Sequence, residues 1–375
     1  MKSLRGLWQP GFIGLSQGFE RLGILCGPSA NIEDTTEAKL ELPSGSHFVL
    51  GEKNRVAELG EASPRYQSTT FSVTSLKGEV ATIETGHWDR IPAGSSVNVA
   101  FALQEWEGSV GVFAPVGPGP GGQFILHSLK GRGCGYALFK AEATARTLTV
   151  RPPNSGGAST LFCVKPRYRA SHRVRMFLKR TNPEVLVACG VKPADLHLVK
   201  PLFVRKVGQW RAFTPHAELL KGRKCRPDLF RMLQHTDLLQ VNAHEASLVL
   251  EDEVTPHNVE LQLDKFASLG VTFPVITMGK SGAYLKKAGG RLIHQAIIPA
   301  TQVDSCGAGD SHLAALCYTL LIKKVDLVSA MWAAANVAAC VISKVGPWTG
   351  LPTVQEMERI FWSSPSRPPM AIPPP

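Results

Sequence analysis

The segment from Asp304 to His312, DSCGAGDSH, runs directly into the apolar stretch LAALCYTLLI. Gly307, Ala308 and Gly309 have small or absent side chains, so their amides can converge on one anion. The N-terminal end of the following helix adds its positive pole. Asp310 falls in the first helical turn, where it is stabilised as the carboxylate and can take a proton from a hydroxyl beside a bound phosphate. The same residues also suit an acid that caps a buried helix, and this segment alone leaves both readings open.

Two more stretches place polar residues at the carboxyl ends of predicted strands, the edge at which open α/β sheets bind ligands. VNAHEASLVL supplies Asn242 and Glu245, and VITMGKSGAYL supplies Thr277, Gly279 and Gly282. Taken singly, the first is equally a helix cap with a surface acid, and the second a simple hairpin. GKSG (279–282) is not a P-loop, because Pro274 stands where the Walker pattern requires its first glycine. No dinucleotide fingerprint follows a first strand. GPGPGG (117–122) loses two amides to Pro118 and Pro120 and reads as a turn.

The elements that must position these residues follow from apolar patterning. LGILCGPSAN (22–31) reads as a short buried strand ending in a Gly-Pro turn. Short β-type runs separated by Gly, Ser and Pro fill residues 39–86 and predict a small β-rich insertion or lid. After them come VNVAFALQEW (97–106) as helix, GSVGVFAPVG as strand and turn, and FILHSLKGRGC as a helix closing on glycine. Alternation then continues, with LHLVKPLFV as strand, PDLFRMLQH as helix, DLLQVN as strand, NVELQLDKFASLG as helix and TFPVITMG as strand. LAALCYTLLI and SAMWAAANVAACVIS close the series. Such alternation predicts a mainly parallel sheet covered by helices on both faces.

The chain has 375 residues, of which 44% are hydrophobic, enough for one large α/β domain with an appendage. Its longest apolar stretch, 329–343, is too short to span a bilayer and carries Asn336, so no membrane partner is expected. Gln9 and Pro10 interrupt the only candidate signal core; a cytoplasmic location is expected, and the composition is also compatible with an organelle presequence. The eight cysteines lie far apart without metal-site spacing and read as small buried residues in a reducing compartment. A net charge of +11 suits polyanionic partners, nucleotides included. Between Lys165 and Arg180 no acid interrupts the basic residues, and Val174, Met176 and Leu178 alternate with Arg173, Arg175 and Lys179. That period predicts a half-buried hairpin strand with one solvated face, and the absence of aromatics at stacking spacing argues against a nucleic-acid groove.

In order and spacing these stretches resemble the PfkB family of carbohydrate kinases, the ribokinase-like fold. The matching segments are N-x-x-E at Asn242 to Glu245, T-x-G at Thr277 to Gly279, and D-T-x-G-A-G-D at Asp304 to Asp310. AANVAACVISKVG (334–346) resembles the family's downstream helix. AGSSVNVAFAL (93–103) is similar to the helix start on the sugar side, with Gly94 and Asn98 in place. The resemblance implies a three-layer α/β/α sandwich with a mainly parallel central sheet and a β-rich lid. Residues 1–21 would be an N-terminal extension, 22–362 the kinase domain with its lid within about 39–90, and 363–375 a Pro-rich disordered tail.

The resemblance further implies transfer of a phosphoryl group from ATP to a hydroxyl of a sugar, sugar derivative or nucleoside. Asp310 would be the general base, and the Gly307, Ala308 and Gly309 amides would hold the transferring group. Asn242 and Glu245 would organise Mg2+ through water, Thr277, Gly279 and Gly282 would line the nucleotide, and Asn336 would lie near its base. A monovalent cation, K+, would sit at the backbone of the Asp304 and Gly346 loops. Sugar recognition falls to Gly94, Asn98 and an acid or amide after the first strand, where Asn31, Glu33 and Asp34 are all eligible and Asp34 is preferred. Ala93 replaces the family's first glycine, Gly117-Pro118-Gly119 replaces its G-D-D turn, Ser305 its threonine and His312 its phenylalanine. A lid of this kind can pair with a second subunit's lid. A second reading, a catalytically weak relative that senses a ligand or binds nucleic acid, is motivated by the +11 charge, the basic run and the altered sugar-side motifs.

Overall fold

The computed structural model describes residues 12–17, 19–37, 48–49, 69–75, 80–85, 89–151, 160–164, 167–204 and 206–364. At its centre lies a sheet of 10 strands. In spatial order they are Phe12–Leu15, Gly135–Lys140, Val110–Val116, Ile24–Pro28, Val185–Val191, Trp210–Pro215, Leu238–Asn242, Phe273–Thr277, Ala283–Lys286 and Leu292–Gln295. Neighbours from Gly135–Lys140 through Phe273–Thr277 pair in parallel, and the strands at both edges pair antiparallel.

Successive residues of a strand face opposite sides, and both sides of this sheet are buried. Cys26, Val112, Val187, Val275 and Leu285 pack with the helices Ser95–Glu107, Ala308–Leu316 and Leu327–Ile342. Leu25, Phe113, Leu186, Phe213 and Ile276 pack with His172–Arg180, Arg226–Leu233 and Val259–Ser268. The result is the expected sandwich of three layers.

Chain order sets where a ligand can enter. From Ile24–Pro28 the sheet grows first toward Val110–Val116 and Gly135–Lys140. The chain then returns to the other side with Val185–Val191. The loops leaving Ile24–Pro28 and Val185–Val191 therefore diverge and open a crevice at their carboxyl ends, the switch point of an open α/β sheet.

A four-stranded sheet, in the order Thr160–Val164, Ala145–Arg151, Asn31–Glu37, Asp89–Ala93, stands apart from the central one. A three-stranded sheet joins Phe48–Val49, Thr69–Ser75 and Val80–Thr85. The β-rich insertion is present, but it also draws on residues 31–37, 145–151 and 160–164, outside the predicted range.

Four sequence readings need correction. The basic run is the α-helix His172–Arg180 and not a hairpin strand. Val174 and Leu178, both buried, satisfy a period of two and an i, i+4 repeat equally; the Ser171 side chain decides the matter by accepting the Val174 N–H at 3.3 Å as an N-cap. Its exposed Arg173 and Lys179 form a solvated face, while Phe177 stacks on Phe19 at 5.9 Å. LHLVKPLFV is also helical, as Leu196–Val199 followed by the 3-10 turn Lys200–Leu202. Pro201 would remove a ladder donor from a strand. The strands of this region are Val185–Val191 and Trp210–Pro215. The first 21 residues are not all an extension, since Phe12–Leu15 pairs with Gly135–Lys140 and Phe12 and Phe19 are core residues. At the other end the fold reaches Ser364, which is buried and accepts a hydrogen bond from the Ser329 hydroxyl at 3.1 Å. The expected tail beyond it lies outside the described residues.

Among the described residues no helix is long and apolar enough to cross a membrane. Cys26, Cys134, Cys189 and Cys317 are free and buried, as their spacing suggested.

Candidate active site

Asp304 opens the turn that carries Asp310. Its buried carboxylate accepts the N–H of Cys306 and, through Oδ2, that of Gly346, each at 3.0 Å. The turn is thereby tied to the loop after Leu327–Ile342. Gly307 follows at φ 78°, in the left-handed region, and a Cβ there would lie 2.3 Å from the Pro347 carbonyl oxygen. Only glycine fits on both counts. Helix Ala308–Leu316 starts on it without a side-chain cap, so its first amides have no partner within the helix. The Ala308 N–H makes only a long contact, 3.4 Å, to the Ser305 carbonyl.

Asp310 sits in that first turn and is held across the sheet's carboxyl edge. Asn98 Nδ2 donates to Asp310 Oδ2 at 2.7 Å, and the Ser95 hydroxyl donates as well. Burial raises the Asp310 pKa above the ordinary carboxylate value, and the two donors oppose that rise. Asn98 spends its amide nitrogen on Asp310, while its Oδ1 is buried with no hydrogen-bond partner.

Both partners come from helix Ser95–Glu107, which also starts on a glycine, Gly94 at φ 97°. That start lies in the switch-point crevice. The Ser29 N–H donates to the Ser96 hydroxyl at 2.9 Å, and a Cβ on Gly190 (φ 60°) would meet Ser95 Oγ at 3.3 Å. Ser95 and Gly190 escaped the sequence reading; a glycine inside the apolar run VLVACGV was the available signal. Asn31 pairs with Ala93, and Asp34 with Arg90, on the lid strand beside this crevice, while their side chains lie outside the described set.

Asn242 and Glu245 form a reciprocal capping box at the start of Ala243–Leu250. The Glu245 N–H donates to Asn242 Oδ1 at 2.8 Å, and the Asn242 N–H to Glu245 Oε2 at 3.0 Å. Burial raises the Glu245 pKa, its cap bonds lower it, and the charge of Asp310 raises it further. A half-buried carboxylate beside an amide oxygen, as Glu245 and Asn242 provide, is a set of hard oxygens that suits a divalent cation held through water. Among the described residues no group of three or more ligating side chains forms, so such an ion would keep water or phosphate oxygens as most of its ligands.

Thr277 ends its strand opposite Ala283, and the 3-10 turn Gly279–Ser281 closes the hairpin. Gly279 at φ 53° faces open space, whereas a Cβ on Gly282 would fall 2.1 Å from the Gln295 carbonyl oxygen. Gly282 therefore has a packing reason of its own. Asn336 is half-buried and donates to the Trp332 carbonyl of its own helix at 2.9 Å.

The pfkB family carbohydrate kinase model matches residues 55–354. Fructokinase of Klebsiella pneumoniae is 24% identical over 293 residues, which cover 72% of this chain and 91% of that protein. Ribokinase of Schizosaccharomyces pombe is 28% identical over 134 residues, covering 35% of this chain and 42% of that one, less than half of its length. Among solved structures, phosphofructokinase-2 from Escherichia coli in complex with potassium superposes with a TM-score of 0.64 at 18% identity, covering 90% of this chain and 97% of that one. Ribokinase from Thermotoga maritima gives 0.62 at 16% identity, covering 90% and 99%. At such identities the structural matches establish the fold, and the family model spans most of the sequence, so the chain belongs to the pfkB family of carbohydrate kinases.

Proposed function

We propose that the protein transfers the γ-phosphoryl group of ATP to a hydroxyl of a sugar, sugar derivative or nucleoside. The observation that carries this reading is the placement of Asp310. It stands in the first turn of a glycine-started helix and is joined to Asn98, whose Oδ1 is buried and unpartnered at the switch-point crevice. A substrate that donates from one hydroxyl to Asn98 Oδ1 would bring a neighbouring hydroxyl, the phosphoryl acceptor, within the reach of Asp310.

In this reading the acceptor O–H gives its proton to Asp310 as its oxygen forms a bond to the γ-phosphorus. The bond from phosphorus to the bridging oxygen breaks, and ADP leaves. The Gly307, Ala308 and Gly309 amides and the helix pole carry the charge on the transferring group, and positioning supplies most of the acceleration. Raising the Asp310 pKa makes it a stronger base once ionised, and the Ser95 and Asn98 donors oppose that rise and aim the carboxylate. Magnesium, held through water by Glu245 and Asn242, would neutralise phosphate charge. Potassium would bind backbone oxygens around Asp304 and Gly346, because the Asp304 carboxylate is already committed to two amides. Thr277 and Gly279 would line the nucleotide.

The test is ADP release from ATP and magnesium across hexoses, pentoses, ketoacid sugars, phosphosugars and nucleosides, with Asp310→Asn in parallel. Turnover stimulated by one compound and lost in the variant supports the proposal. ATP binding with no stimulation by any compound overturns it. Glu245→Gln should raise the magnesium concentration needed for half-maximal turnover, and an unchanged requirement removes Glu245 from that role.

A further inference from the structure

The central sheet carries a buried polar pair that the reaction above does not use. Gln240, in the strand Leu238–Asn242, and His312, in helix Ala308–Leu316, are each only 5% exposed. Gln240 Nε2 donates to the Gly309 carbonyl oxygen at 2.7 Å, and its Oε1 lies 2.8 Å from His312 Nδ1. A carbonyl oxygen can only accept, so the Gln240 amide has one allowed orientation, with its oxygen turned to the histidine. His312 Nδ1 must then carry the proton. Burial pushes the His312 pKa down to about 4, so the ring is neutral, and Nε2 is bare, buried and without a partner. Asymmetric use of the ring leaves Nδ1 as the atom that matters.

The peptide this chain of bonds grips is the one that joins Gly309 to Asp310. Peptide planarity makes the direction of the Gly309 carbonyl also the direction of the Asp310 N–H. Sterics do little to fix it: a Cβ at Gly309 would have only Gln240 Nε2 near it, at 3.9 Å. The ladder of helix Ala308–Leu316 orders this peptide within the helix, and glycine is the residue with the most freedom to depart from it, so the Gln240 bond adds a tie from this peptide to the sheet.

We propose that Gln240 and His312 are positioning residues, acting in series to fix the Gly309–Asp310 peptide and thereby the aim of the anion-binding turn and of Asp310. Asp310 is thus held at both ends, its carboxylate by Asn98 and Ser95 and its backbone through Gln240. His312 acts on the turn only through Gln240, by preventing its amide from flipping an oxygen toward the Gly309 carbonyl.

This inference rests on the kinase reading for its kinetic consequence and on geometry alone for its structural one, and the experiment separates the two. Gln240→Met and His312→Phe keep volume and remove the bonds; both variants and their double are compared with the wild-type chain. Hydrogen–deuterium exchange of the peptide spanning 304–316 is measured without any ligand. Each single variant should speed exchange of the Ser311 to Leu313 amides, which close the helix onto the carbonyls of that turn, about tenfold or more, and the double should add nothing further, as two links of one series require. ADP release with whichever panel compound the wild type uses should show kcat down about tenfold to a hundredfold, with the KM for that compound within about twofold. Independent, additive effects, or exchange unchanged in both single variants, overturn the inference. A wild type without turnover would sink the kinase reading while the exchange result still decides this one. If Gln240→Met fails to fold, His312→Phe with unchanged exchange is sufficient to overturn the proposal.

Discussion

Helices Ala243–Leu250 and Ala308–Leu316 begin at the same carboxyl edge of the sheet and treat their first amides in opposite ways. The first closes on itself, its Asn242 and Glu245 exchanging two hydrogen bonds. The second begins on Gly307 with no side-chain cap, as Ser95–Glu107 begins on Gly94. A side-chain cap satisfies donors locally and adds stability; a glycine start leaves donors for a ligand and lets backbone or substrate approach closely. The comparison teaches that the site is marked by what its helices leave unfinished, and that stability is made up in the helices beside them.

The largest expected effect breaks the open end chemically. Asp310→Asn should retain the fold and ATP binding while turnover falls by about 10² to 10⁴, measured as ADP release; unchanged turnover removes the base. Next comes the steric test. Gly307→Ala forces a side chain into a left-handed position against the Pro347 carbonyl and should destabilise the protein by roughly 1–3 kcal/mol. Gly309→Ala, one turn of logic away, should be neutral or stabilising by up to about 1 kcal/mol. Urea unfolding of the pair reads the contrast, and equal losses would mean that the turn does not depend on Gly307.

A third expectation concerns pH. Because the folded-state pKa of Asp310 is raised, ionising it costs more in the native chain than in the unfolded one. Wild-type stability attributable to this residue is therefore full below the ordinary carboxylate value and is lost as pH rises through the raised one. Asp310→Asn should accordingly exceed the wild type in stability at neutral pH, the gap closing in acid; a gap independent of pH would contradict this assignment. The smallest effect belongs to the closed end. Asn242→Ala should cost about 1 kcal/mol through the lost cap, checked by thermal unfolding, with Thr353→Ala in the capping box of Val354–Trp362 as a matched control outside the site.

Legibility in the sequence followed the same division. The GAGD turn, the strand ends at Asn242 and Thr277, and the helix starting near Gly94 were readable because local residue types specify them. The Asp310 partner was not, since Asn98 lies 212 positions away and only the fold brings the two together. Gln240 looked like an ordinary member of an apolar strand, His312 stood out only as the residue in place of the family's phenylalanine, and nothing local announces that they meet. The basic helix was misread because five residues with Val174 and Leu178 at their ends fit both periods, and the cap at Ser171 carried the deciding information. The strand Val185–Val191 was missed because a short apolar run buried on both faces, VLVACGV, carries no alternation to mark it as a strand. The lid was recognisable as β-rich, yet its extent was hidden, because Asn31–Glu37 finds its parallel partner in Ala145–Arg151, more than a hundred residues downstream.

The loop that walls in Gly307 continues into Trp348, whose indole N–H donates to the Pro92 carbonyl of the lid strand Asp89–Ala93 at 2.8 Å. The same ring lies beneath the Arg132 guanidinium at 4.4 Å and edge-on to Phe101 at 5.3 Å. An indole so placed is a built-in optical probe: its emission wavelength and lifetime depend on that hydrogen bond and on the cation above it. Displacement of the lid strand becomes a spectroscopic signal without a label, and Trp348→Phe identifies which of the chain's 7 tryptophans supplies it. Ligands can then be ranked by fluorescence titration before any of them is turned over.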